Sequence, residues 1–122
     1  MSRPKADWVP ERRDIVWIEC DPQVGHEMRG RHPLLVLSQG PFNARTGIVI
    51  GLPMTTAAYH ETNPFAVRFA GTGKAASYVL SHQPKSFDWR GRHAKPHPLK
   101  QASPAVFAAA CGQLNQILAL CH

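Results

Sequence analysis

The sequence predicts a mainly β fold: a small barrel or sandwich of short strands that ends in one α-helix. Five or more short segments carry strand patterns separated by turn residues, and the last apolar segment changes to a helical period. A chain of 122 residues has an ordinary size for one domain and can bury a core without metal or disulfides. We therefore expect one domain over residues 1–122, with residues 1–11 as a flexible N-terminal arm.

The strand patterns follow one another along the chain. "DIVWIEC" (14–20) alternates and is rich in β-branched and aromatic residues, which is typical of a strand with two different faces. "PLLVLS" (33–38) and "GIVIGLPM" (47–54) are continuous apolar runs, and the turn-like "QGPFNARTG" lies between them. "FAVRFA" (65–70) and "SYVLSHQ" (77–83) alternate and are joined by "GTGK", which predicts a hairpin.

The C-terminal segment has the period of an amphipathic helix. Its apolar residues recur at three- and four-residue steps: Phe107, Ala110, Cys111, Leu114, Ile117, Leu118 and Cys121. Ser103 is a suitable N-cap, and Pro104 suits the first turn. We expect this helix to pack its apolar face on the strands.

Charge and cysteine content restrict the environment and the partners. Fourteen Lys and Arg against eight Asp and Glu give a net charge of +6, which favours a polyanionic partner, although such a charge also serves solubility. Cys20, Cys111 and Cys121 form no CxxC pair and indicate reduced thiols. No apolar run approaches the roughly 18 residues of a membrane span, and no export signal is evident. The expectation is a cytoplasmic protein without membrane contact.

The loop "GHEMRGRHP" (25–33) concentrates ionisable side chains between a glycine and a proline. Cleavage of RNA without a metal needs a base for the 2′-hydroxyl proton, an acid for the leaving oxygen and cations for the phosphate. Glu27 and His26 are candidates for base and acid, and Arg29 and Arg31 for phosphate binding. A solvated loop whose charges pair with one another would have the same composition, so composition alone leaves both interpretations open.

Three separated motifs resemble the MazF/PemK family of toxin endoribonucleases. "RRDIVWIECDPQVGHEMRGRHPLLVLS" is similar to the family's opening, which is a strand, "DP", "G-[SH]-E-Q-x-G-x-R-P" and "VLVLS". "NARTGIVIGLPMTT" resembles "N-x-x-T-G…P-x-T-T", and "YVLSHQPKSFDWRGR" resembles "x-V-x-x-D-Q-x-[KR]-[ST]-x-D-W-x-x-R". The resemblance covers residues 12–118. It implies a small SH3-like β-barrel with a C-terminal α-helix, a homodimer, and metal-independent, cofactor-free cleavage of single-stranded RNA that a cognate acidic antitoxin restrains.

Some of the family's functional positions are matched directly. The loop glutamate of the family corresponds to Glu27, and the histidine before it in the PemK branch corresponds to His26. The first threonine of the family's "TT" is Thr55, followed by Thr56, and a hydroxyl there can donate to a phosphate oxygen. For Thr56, a structural role at a strand end is an equally good interpretation.

Other positions depart from the family pattern. His32 stands where the family has an arginine before proline, so we assign the arginine role to Arg31, with Arg29 as the second candidate. Leu80 and His82 stand where the PemK branch has an arginine and an aspartate. His82 is a candidate acid or base because an imidazole titrates near neutrality, although a lone histidine at a strand end is more often a structural residue.

The segment 85–100 combines basic residues with aromatic ones, a composition that suits single-stranded RNA. Besides His32 and Thr56, four residues here or just before are expected to contact RNA: Gln83, Lys85, Arg90 and Arg92. For Phe87 and Trp89 we favour a role in the core. His93 and His97 have H-x₃-H spacing, but Pro96 disfavours a helix there and no cysteine pair completes a site, so we expect no metal.

Two alternatives to a ribonuclease stay open. One is a non-catalytic toxin that binds DNA gyrase through its last helix, as a related family with the same barrel does. The mostly apolar helix predicted here is better suited to packing than to recognition, which favours the enzyme. The other is an inactive RNA-binding descendant, because His32, Leu80 and His82 depart from the pattern.

Overall fold

The computed structural model describes residues 8–20 and 30–120. Within these ranges the chain forms the following strands and helices: β1 (Asp14–Glu19), β2 (Arg31–Val36), α1 (Gly40–Thr46), β3 (Ile48–Thr55), a 3₁₀ helix (Ala58–Thr62), β4 (Ala66–Ala70), β5 (Ala76–Leu80), β6 (Lys85–Asp88), β7 (Lys95–Gln101) and α2 (Pro104–Leu118). None of the helices in these ranges has the length and apolar character needed to cross a membrane.

The strands form one curled antiparallel sheet in the order β4-β5-β3-β2-β1-β7. The sheet curls because β3 changes partner along its length: Ile48 to Gly51 pair with β6, whereas Met54 and Thr55 pair with β5. The result is a half-barrel with a C-terminal helix, so the prediction of a mainly β fold of this kind is confirmed.

Both faces of the sheet carry apolar clusters. Ile15 of β1 belongs to a cluster that α2 covers, together with Leu35 and Leu52. Val16 and Ile18 belong to a second cluster on the other face. Burial of both faces explains the continuous apolar stretches at residues 34–36 and 51–54 within β2 and β3.

The turn predicted over "QGPFNARTG" contains a short helix instead. Helix α1 has a proline in its first turn and ends at Gly47, whose φ of 72° is left-handed and suits glycine. Asn43 within it is fully buried; its side-chain amide donates to the Pro10 carbonyl at 2.7 Å, and its backbone carbonyl accepts from the Trp89 indole at 2.8 Å. Seven residues are too few to show a helical period, and buried hydrogen bonds rather than an apolar stripe hold the helix.

The N-terminal segment is packed from residue 8 onward. Pro10 is buried, and the Trp8 ring meets the Trp89 ring edge-on at a centroid distance of 5.9 Å. Residues 8–11, which the sequence assigned to a flexible arm, are therefore held against the fold. Residues 1–7 of that arm lie outside the described residues.

The predicted C-terminal helix is present, and the Ser103 hydroxyl caps it by accepting from the Val106 amide. Its packing face is shorter than expected, because Ile117 and Leu118 are 42% and 45% exposed. The helix packs on β4 and on the cluster that contains Ile15, and its last turn carries the two exposed residues. No disulfide joins Cys20 to Cys111, and Cys121 lies outside the described residues.

Candidate active site

Strand pairing brings two of the predicted site residues to the same end of the sheet. In the antiparallel β2–β3 pair, Leu34 lies opposite Pro53. Continuing that register by two residues sets His32 beside Thr55. The site therefore depends on the register of two buried strands, which the core on both faces fixes.

His32 and Thr55 line a cavity of about 260 Å³ at this end of the sheet. Thr56 borders it as well, so three of the predicted residues meet in one place. The other lining residues are aromatic, aliphatic or hydroxyl-bearing: Trp17, Pro33, Met54, Phe69, Thr72, Ser77, His97 and Leu99. A cavity with apolar walls and a few polar groups is the usual form of a ligand site.

Thr55 has a hydroxyl that is already oriented by the backbone. Its Oγ1 accepts a hydrogen bond from the Ala57 amide at 3.2 Å. Because a hydroxyl that accepts still carries its own proton, Thr55 can donate to an oxygen in the cavity. Thr56, next to it, is exposed.

Arg31 is connected to the cavity through Trp17. The exposed Arg31 guanidinium lies 4.4 Å from the centre of the Trp17 ring, a cation–π distance. The same tryptophan stacks on the His97 ring at a centroid distance of 4.5 Å. A cation is thus held at the rim of the cavity, where it can bind a phosphate.

His97 and Trp17 are site residues that the sequence reasoning did not select. His97 is buried on β7, and its Nδ1 accepts from the Leu99 amide at 3.0 Å. Burial, assisted by the nearby Arg31 charge, lowers the pKa of His97 below its usual range. Trp17 was assigned only to a strand face. A usable signal was its place in the strand that leads into the predicted site loop, eight residues before Gly25.

The predicted acid and base lie outside the described residues. Glu27, His26 and Arg29 belong to residues 21–29, which connect β1 to β2. The described ends of this connection meet, because the Cys20 amide donates to the Gly30 carbonyl at 2.7 Å. The connection therefore begins and ends beside the strand that carries His32.

His82 and Gln83 belong to a different group of side chains. His82 Nε2 lies 3.2 Å from Gln83 Nε2, and the His82 ring is 6.0 Å from the Phe65 ring between centroids. Burial, with the His82 charge as a second cause, lowers the pKa of His60. Neither His82 nor Gln83 borders the cavity that contains Thr55.

The predicted basic residues are distributed over three places. Lys85 lines a smaller cavity that it shares with His32 and Phe87. The Arg92 guanidinium donates to the Glu19 carbonyl at 3.5 Å. Arg90 stacks on Trp89 at 4.1 Å and borders a groove of about 610 Å³.

The two histidines with H-x₃-H spacing have separate neighbours. His93 Nδ1 lies 3.6 Å from a Glu19 carboxylate oxygen, whereas His97 packs against Trp17. Among residues 8–20 and 30–120, no group of three or more His, Cys, Asp or Glu side chains is arranged to hold a metal. Trp89 is buried, as expected for a core residue, and Phe87 packs against the same cluster.

The sequence matches a known family over most of its length. The model of the PemK-like, MazF-like toxins of type II toxin-antitoxin systems aligns with residues 11–118. The chain belongs to this family. Membership of this family explains why the chain has the three sequence motifs and the fold in which the cavity lies.

Curated relatives and solved structures agree with this membership. The endoribonuclease toxin MazF of Escherichia coli K12 is 36% identical over 87 residues, which are 71% of this chain and 76% of that protein. The endoribonuclease PemK of Escherichia coli is 30% identical over 120 residues, or 97% of this chain and 87% of PemK. The crystal structure of MazF from Deinococcus radiodurans superposes with a TM-score of 0.81 at 36% identity, covering 93% of this chain and all of that one.

MazF from Deinococcus radiodurans also matches in its complex with MazE. That chain is 32% identical, with a TM-score of 0.76, and the match covers 92% of this chain and 97% of the other. A member of this family with the same fold and clear sequence similarity thus forms a complex with MazE.

Proposed function

We propose that this protein is the toxin of a type II toxin-antitoxin system and acts as a sequence-specific endoribonuclease on single-stranded RNA. The observation that carries the proposal is the meeting of His32, Thr55 and Thr56 in one cavity, in a chain whose relatives are named endoribonucleases. Cleavage of messenger RNA in the cytoplasm would inhibit translation and growth.

The proposed reaction uses the RNA's own 2′-hydroxyl as nucleophile. A base removes the 2′-hydroxyl proton, the oxygen attacks the adjacent phosphorus, and the bond from phosphorus to the 5′-oxygen breaks. An acid gives that leaving oxygen a proton, so the products are a 2′,3′-cyclic phosphate and a 5′-hydroxyl. Atoms and charge balance without a metal or a cofactor.

Roles follow from the chemistry of each side chain. Glu27 and His26 supply the base and the acid. Arg31 at the rim and the Thr55 hydroxyl stabilise the negative charge that builds on the phosphate oxygens. His82, a candidate acid or base by sequence, does not border this cavity, so we assign it no step in the reaction.

RNA binding beyond the reacting phosphate falls to the remaining candidates. These are Arg29, His32, Thr56, Gln83, Lys85, Arg90 and Arg92. Because Lys85, Arg90 and Arg92 lie in three different surroundings, they would contact different parts of an extended strand.

The proposed partners are a cognate acidic antitoxin and a second copy of this chain. The net charge of +6 would attract an acidic, partly disordered segment to the same surface as RNA. The MazE–MazF complex from Deinococcus radiodurans supports an antitoxin partner. A homodimer is the arrangement that the family resemblance implies.

The test is cleavage of a long single-stranded RNA in excess chelator, followed by sequencing of the new 5′ ends. We expect cutting to persist and to occur at one short sequence. A matched oligonucleotide with a single deoxynucleotide on the 5′ side of the scissile phosphate should stay intact, because it lacks the attacking hydroxyl. Loss of activity in chelator, or cleavage of the deoxy substrate, would overturn the mechanism.

A further inference from the structure

His97 presents a fixed hydrogen-bond donor. Its Nδ1 accepts from the Leu99 amide at 3.0 Å, so this nitrogen carries no proton in the neutral ring. The single proton of the neutral imidazole then resides on Nε2. The backbone of β7 thereby selects one tautomer.

The surroundings keep this imidazole neutral. His97 is 7% exposed and stacks on Trp17 at 4.5 Å. Burial and the Arg31 charge both lower its pKa, so it stays uncharged at neutral pH. It is therefore suited to hydrogen bonding and stacking rather than to proton transfer near neutrality.

The cavity beside His97 is too small for a nucleotide chain and suitable for one planar group. Its volume of about 260 Å³ lies below the roughly 300–1,000 Å³ of sites for drug-sized ligands. Trp17 and Phe69 supply aromatic walls, and Thr55 and Ser77 supply hydroxyls. Unstacked RNA bases are bound in this way, by aromatic contacts and hydrogen bonds to the base edge.

We propose that this cavity receives one nucleobase next to the scissile phosphate, and that His97 determines which base is accepted by donating from Nε2. The inference rests on the proposed ribonuclease function and assigns a specificity-determining residue within it. Arg31, at the rim on Trp17, would hold the phosphate of the same nucleotide.

The donor predicts the class of base. A keto base, uracil with O4 or guanine with O6, offers an acceptor, whereas cytosine and adenine carry an amino group at the equivalent position. An amino group would leave the buried donor unpaired, and a site with an unpaired buried polar group rejects a ligand strongly. At one position flanking the cut, uracil or guanine is therefore preferred.

The first experiment compares cleavage preferences of the wild type, His97→Phe and His93→Phe. His97→Phe keeps an aromatic ring in the cavity and removes the donor, whereas His93 is an exposed histidine paired with Glu19. Each purified protein digests a random single-stranded RNA pool, and the new 5′ ends are sequenced. We expect a preference for keto bases at one position in the wild type and in His93→Phe. In His97→Phe this preference should be at least about fivefold weaker.

A second experiment changes the base and leaves the wild-type protein intact. With the wild-type protein, a substrate whose preferred base lacks the keto oxygen should show a kcat/KM lower by the same factor as the loss of preference in His97→Phe. With His97→Phe, removing that oxygen from the substrate should lower kcat/KM no further. No keto preference in an active wild type, an unchanged preference in His97→Phe, or no effect of deleting the oxygen would each overturn the role of His97. A wild type that leaves all RNA intact would instead overturn the ribonuclease function.

Discussion

Two histidines of this protein are equally buried and have different access to a ligand. His60 and His97 are each 7% exposed, and burial is the main cause that lowers the pKa of both. Both rings lie against an aromatic side chain, Tyr59 for His60 and Trp17 for His97. His97 lines the cavity that holds Thr55, and His60 is not among the residues of that cavity.

The neighbours of His60 are occupied with one another. Asn63 lies 3.1 Å from the His60 Nδ1, and the Tyr78 hydroxyl hydrogen-bonds to Glu61, which also lies 3.6 Å from Arg68. The comparison teaches that burial and a lowered pKa do not by themselves identify a functional histidine. What distinguishes His97 is the open space beside it, which has apolar walls and a few polar groups.

The largest expected effect on cleavage comes from removing the arginine at the cavity, whereas removing an arginine in the region of His60 should have no effect. Arg31→Ala should slow RNA cleavage about a hundredfold, because it removes the cation at the rim of the cavity. Glu27→Ala should cause a similar loss by removing acid–base catalysis. Arg68→Ala is the matched control, since it removes an exposed arginine that pairs with Glu61 and does not line the cavity. Single-turnover cleavage rates measure all three, and equal rates for the wild type and both test variants would refute these assignments.

The next effect concerns a single hydroxyl. Thr55→Val keeps the branched shape and removes the donor, so cleavage should fall at least about tenfold, whereas Thr55→Ser should retain most activity. Thr62→Val, in the 3₁₀ helix next to His60, should cleave at the wild-type rate. If Thr55→Val also matches the wild type, then the Thr55 hydroxyl does not contact the reacting phosphate.

A smaller effect is expected at His82, which lies near His60 and Phe65. Because His82 does not border the cavity, we expect His82→Gln to change the cleavage rate by less than about threefold and to leave its pH dependence unchanged. If instead the variant removes the decline in rate above neutral pH, together with most of the rate, His82 is the acid that protonates the leaving oxygen.

The smallest effect is on stability and involves both buried histidines. Each has a folded-state pKa below the unfolded value of about 6.5, so the unfolded chain binds protons more readily. Their contribution to the free energy of unfolding is therefore fully present above the unfolded-state pKa, and it is lost as the pH falls through the folded-state pKa. The midpoint of urea unfolding at about pH 7.5 and about pH 5 measures the decrease.

His82→Gln sharpens this measurement. His82 is one cause of the lowered pKa of His60, so its removal should reduce the loss of stability at low pH. His93→Gln, which changes an exposed histidine that pairs with Glu19, serves as the control. An undiminished loss in His82→Gln would show that the two rings do not interact.

Patterns repeated over several residues made most of the fold predictable. The alternation in β1 and the Ser103–Pro104 start of α2 gave elements that the structure contains. Helix α1 was missed because it is short, and its buried Asn43 is recognisable only through partners far along the chain. Asn43 and Trp89, both within the quoted motifs, hold the scaffold together.

The site was only partly predictable for a related reason. Thr55 and His32 lie in motifs that can be aligned with a family, so the sequence indicates them directly. His97 lies between two prolines in a basic segment; Pro96 disfavours a helix there, and the segment is strand β7. No local sequence pattern shows that His97 contacts Trp17, because the two residues are far apart in the chain and come together only when β7 pairs with β1.

The prolines of β7 have a consequence for how chains associate. This strand is the last in the sheet order, and two of its seven residues, Pro96 and Pro98, have no amide hydrogen. The Leu99 amide is already bonded to the His97 ring. An edge with so few donors is a poor template for an added strand. The prolines of β7 thus disfavour edge-to-edge aggregation of copies of this chain at this strand.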